Sequence, residues 1–108
     1  MRRVVVFAPD LMDRSRISAA LPHAEFVNAV DNLSSAGPDA VVLVDLKRAG
    51  VLEAIPGLTA SVVGFASHVD DTLIDAARRA GCTEVLPRSR FFRRLTEFAS
   101  DPGQTGGE

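Results

Sequence analysis

Apolar residues gather in short, unbroken runs separated by polar turns. Val4 to Ala8 and Ala40 to Val44 show no alternation of apolar and polar positions. Such runs predict strands covered on both faces, as in a parallel sheet. Glu25 to Val30, Ser61 to Ala66 and Thr83 to Leu86 read as three further strands, the last cut by Pro87. Between them lie helical candidates. Asp10 offers an N-cap for a helix from Leu11 to Leu21, closed by Pro22. Asp31 to Pro38 is rich in turn residues and leaves room for a turn or two of helix. A short helix is expected over Ala49 to Ile55.

Ser67 and Asp70 have capping-box spacing, with Ser67 as the expected N-cap of a helix running to Ala80. On that helix Val69, Leu73, Ala76, Ala77 and Ala80 fall near one face, and Gly81 supplies the stop. Phe91 to Ala99 reads as the last helix. Its spacing turns Phe91, Leu95 and Phe98 to the sheet and leaves Phe92 nearer the surface. Residues 101–108, Gly-rich and polar, are expected to be a disordered tail. Strand and helix alternate five times over residues 1–100, which argues for one doubly wound α/β domain with helices on both faces.

This order of features resembles the receiver domain of two-component response regulators. The strongest match is Pro38-Asp39-Ala40-Val41-Val42-Leu43-Val44-Asp45-Leu46, similar to the family's segment that closes on the phosphoacceptor aspartate, here Asp45. The second lies between Val62 and Leu86, where the helix ends in Ala76-Ala77-Arg78-Arg79-Ala80-Gly81-Cys82. The resemblance spans residues 3 to 99. It implies a flavodoxin-like (CheY-like), five-stranded parallel sheet of order 2-1-3-4-5 with shortened second and third helices.

The departures from the family bear on function. The acidic pair that holds Mg²⁺ in receivers falls on Ala8 and Pro9, with only Asp10 acidic, one step on. The switch hydroxyl falls on Ala66, beside Ser67; the fifth-strand lysine falls on Arg88, and the proline after it on Ser89. Phosphoryl transfer to a carboxylate needs a cation on the crowded oxygens, and Mg²⁺ takes several oxygen ligands. Ala8 and Pro9 supply no side-chain ligand. The sequence therefore reads as a pseudo-receiver: a signalling or protein-interaction module, not an enzyme, with Asp45 a vestigial phosphoacceptor and Asp10, Ser67, His68 and Arg88 on the pocket rim. The alternative is an anion- or metal-binding, enzyme-like domain using Asp10, Asp45, His68 and Arg88. No Gly-rich phosphate loop occurs, and no cofactor or metal is expected.

Charge sharpens one feature. The 108 residues carry a net −2, which gives no general attraction to nucleic acid or an anionic membrane. Ala76 to Ser100 nevertheless holds six arginines against Glu84 and Glu97. Arg90, Phe92, Arg93 and Arg94 are the expected contact surface for an acidic protein partner or a second copy, through the last strand and helix. A single cysteine, Cys82, rules out an internal disulfide. It reads as a small buried residue. The first apolar run is too short for a signal peptide, and no run reaches the ~20 residues of a membrane span. A cytoplasmic location is expected.

Overall fold

The computed structural model describes residues 2–100; the expected tail, 101–108, lies outside them. Five parallel strands form one sheet in the order β2-β1-β3-β4-β5: β1 (Val4–Phe7), β2 (Glu25–Phe26), β3 (Val41–Asp45), β4 (Ser61–Ala66) and β5 (Glu84–Pro87). In register, Val4 to Phe7 lie beside Val41 to Val44, Val41 to Asp45 beside Ser61 to Phe65, and Val63 to Ala66 beside Glu84 to Pro87. All five carboxyl ends therefore share one edge of the sheet. The expected second strand shrinks to two paired residues, because Val30 turns into a 3-10 helix over Val30–Ser35.

The unbroken β-branched runs are explained by two cores. On one face Val5, Phe7, Val42, Val44, Val62 and Ala66 pack under the 3-10 helix, α2 (Val51–Ala54) and α3 (Asp71–Ala80). On the other, Val4, Val6, Val41, Leu43, Val63 and Phe65 pack under α1 (Leu11–Ala20), α4 (Arg88–Arg93) and a 3-10 turn over Leu95–Ala99. Gly64 has a steric reason: a Cβ there would stand 2.6 Å from the Leu46 side chain. Gly81 closes α3 at φ 119°, the left-handed region that glycine enters without a Cβ penalty. Leu73 and Ala77 of α3 are buried as expected, whereas Ala76 is exposed.

Two expectations about helices are corrected. The N-cap of α3 is Asp70, whose carboxylate accepts from the Leu73 N–H at 2.9 Å, and not Ser67. The helix begins after Asp70, so Ser67 lies three residues before the cap and is exposed. The last helix is not continuous from Phe91 to Ala99. It starts at Arg88, directly after β5, and breaks at Arg94 (φ −104°, ψ 10°) into the 3-10 turn.

Candidate functional site

The loops that leave β1, β3, β4 and β5 put Asp10, Asp45, Ser67, His68 and Arg88 along the carboxyl edge, where doubly wound sheets place their sites. Their side chains are committed in different ways. Asp10 caps α1: its Oδ1 accepts from the N–H groups of Met12 and Asp13 at 2.9 and 3.0 Å. Asp45 closes its own turn. Its Oδ1 accepts from the Lys47 N–H at 3.1 Å, and its Oδ2 from Arg48 Nε at 3.4 Å. His68 is 81% exposed and stands 3.9 Å from Asp70. Among the described residues no three His, Cys, Asp or Glu side chains come close enough to share a metal ion. The set Asp10, Asp45 and His68 is thus not assembled as a ligand cluster.

The dominant interaction of the rim involves Asp13, a residue outside the expected set. Asp13 is the one buried charged residue among those described, at 1% exposure. Its two carboxylate oxygens accept from the two terminal nitrogens of Arg88, Nη1 to Oδ2 at 2.8 Å and Nη2 to Oδ1. This paired geometry is the strong form of a guanidinium–carboxylate contact. It holds Arg88 above the usual arginine pKa, against the opposing effect of burial, with smaller contributions from the charges of Asp45 and Asp10. A signal was present in the sequence: Asp13 lies one helical turn before Ile17, on the buried stripe of α1.

The fit of Mg²⁺ to this edge can be judged from the donors themselves. Ala8 and Pro9 offer no side-chain oxygen, Asp10 is turned into its helix, and both Asp13 oxygens are held by Arg88. Asp45 alone does not make an oxygen cage for Mg²⁺. The residues do not fit the ion.

The basic segment differs from expectation at Phe92. That ring is buried, at 8% exposure, rather than near the surface. Starting the helix at Arg88 puts Arg88 and Phe92 four residues apart, on one side, and both turn toward α1. The guanidinium of Arg16 lies 4.0 Å from the Phe92 ring centroid, and that of Arg88 lies 5.1 Å away. Below, Phe91 stacks on Phe65 at 4.2 Å and meets Phe92 edge-on at 5.0 Å. Phe91, Leu95 and Phe98 face the sheet as expected. Arg94 pairs with Glu84 at 2.7 Å and Glu97 at 3.1 Å, while Arg90 and Arg93 are exposed.

No protein-family model and no curated protein matches the chain. Solved structures do. The structure described as the signal receiver domain of the response regulator NarL from Mycobacterium tuberculosis superposes with a TM-score of 0.73 at 17% identity, covering 89% of this chain and 90% of that one. A response regulator from Thermotoga maritima gives 0.67 at 16% identity, over 90% and 93%. A structure named as the pilus assembly protein CpaE, from Burkholderia thailandensis, gives 0.64 at 17% identity, again over 90% and 93%. The fold is that of the CheY-like receiver domains. At these identities the likeness concerns the fold alone.

Proposed function

We propose that this chain is a cytoplasmic, receiver-fold signalling or protein-interaction module that works without accepting a phosphoryl group and is not an enzyme. The observation that carries this reading is the Asp13–Arg88 pair. A buried acid of α1 and the arginine that follows β5 neutralise each other at the carboxyl edge of the sheet. Arg88 is therefore not free to follow a phosphoryl group, as a mobile lysine would be. Asp45 meanwhile acts as a turn cap. The occurrence of the same fold in a protein named for pilus assembly supports uses of the scaffold outside response regulators. No helix among the described residues is long and apolar enough to cross a membrane.

Incubation with acetyl phosphate and Mg²⁺, followed by intact mass measurement, tests the reading. The expected spectrum shows the unmodified chain. A stoichiometric phosphoryl adduct that Asp45→Asn abolishes would overturn it.

A further inference from the structure

Leu11 and Met12 are the large apolar side chains left open to solvent among the described residues, at 78% and 74% exposure. Met12 precedes Arg16 by four residues, so the two share a side of α1. That side borders α4, because Arg16 covers Phe92. Across the seam Arg93 is exposed, its Nε donating to the Ser89 carbonyl oxygen at 3.4 Å, and Arg90 is exposed beside it. Arg3, Arg48, Arg88 and Arg94 each have a carboxylate partner. Among the described residues Arg16, Arg90 and Arg93 have none.

Met12, Arg16 and Arg93 line this seam, with Leu11 and Arg90 on the adjoining outer faces of the two helices. Apolar side chains among guanidiniums without carboxylate partners define the chemistry of what would cover them. We infer that the outer seam between α1 and α4 docks an acidic protein segment that carries apolar side chains. This rests on the interaction-module reading above and names the partner's character. A second copy in a two-fold contact is disfavoured, since the same patch would meet itself and set arginine against arginine. Single-stranded nucleic acid needs aromatic platforms on which bases stack. Here Phe7, Phe65, Phe91, Phe92 and Phe98 are buried, Phe26 is half-buried, and the chain has no Trp or Tyr.

The test is titration of the ¹⁵N-labelled chain with a synthetic helical peptide bearing leucines on one face and glutamates elsewhere. Control peptides carry lysine for glutamate or serine for leucine. Saturable amide shifts are expected at Leu11 to Arg16 and Ser89 to Arg93 with the acidic peptide only. Arg90→Glu with Arg93→Glu, and separately Leu11→Ser with Met12→Ser, should each weaken binding by about tenfold or more. All four positions are exposed, so both double variants should melt like the parent. The inference is overturned if the acidic peptide gives no saturable shift, if the shifts centre on Arg78 and Arg79, or if the lysine peptide binds equally. Tighter binding of an oligonucleotide or of anionic vesicles to the same residues would also overturn it. Failure of the peptide while acetyl phosphate leaves the chain unmodified removes this surface and leaves the functional reading standing. Phosphorylation at Asp45 with the peptide still bound does the reverse.

Discussion

Asp13 and Arg88, 75 residues apart, join the first turn of α1 to the first residue of α4 through a two-pronged ion pair. Asp13 is almost fully buried and Arg88 about one-third exposed, so removing either partner strands a charge that water reaches only in part. Asp13→Asn or Arg88→Met should each destabilise the fold by about 1–3 kcal/mol, below the range for fully buried pairs because of Arg88's exposure. The double variant should cost less than the two singles together. Urea unfolding of the four proteins measures the coupling; full additivity would show that the contact is idle.

Phe92→Ala removes a ring packed against Phe91 and Phe65 and should cost about 3–5 kcal/mol, as large aromatic truncations in a core do. Arg93→Glu alone should leave the melting temperature nearly unchanged. If Phe92→Ala melted like the parent, the ring would be at the surface, as the sequence pattern had implied.

That pattern was a reliable guide wherever one segment decides its own structure. A strand buried on both faces needs residues without polar side chains along its buried length, and Val4 to Ala8, Ala40 to Val44 and Val62 to Ala66 supply them. Asp10 and Gly81 are local caps, and both act as read. Illegible features mostly depend on two segments meeting, the choice of cap between Ser67 and Asp70 being a local exception. Phe92 is buried because α4 begins at Arg88 and leans on α1, which neither segment encodes alone. Ser67 and Asp70 both suit an N-cap, and the helix starts at the second. The role of Asp13 depends on a partner 75 residues away, and its only local mark is an acid in register with the buried Ile17.

Gly64→Ala should destabilise by about 1–3 kcal/mol, because the added methyl lands on the Leu46 side chain. Leu46→Ala made alongside it should lessen the clash. Thermal melts of the single and double variants check this; a Gly64→Ala melt equal to the parent's would show that Leu46 yields freely.

Cys82 is buried, and burial pushes its thiol up to about 11. The unfolded thiol ionises near pH ~8.5. The unfolded chain therefore loses a proton that the folded chain keeps, and stability falls as pH rises from that value toward 11. Below it the thiol makes no contribution to pH dependence. Denaturation midpoints across this range should fall less in Cys82→Ala than in the parent. At neutral pH the native thiol should react slowly with iodoacetamide and quickly once unfolded.

The claim that this is a receiver fold without receiver chemistry is tested most directly by fluorine resonance. The chain is mixed with beryllofluoride and Mg²⁺, a mimic of the phosphoryl group on a carboxylate. The account predicts only free beryllofluoride signals, with the amide resonances of Asp13, Asp45 and Arg88 unmoved. A bound fluorine signal that disappears in Asp45→Asn would contradict it.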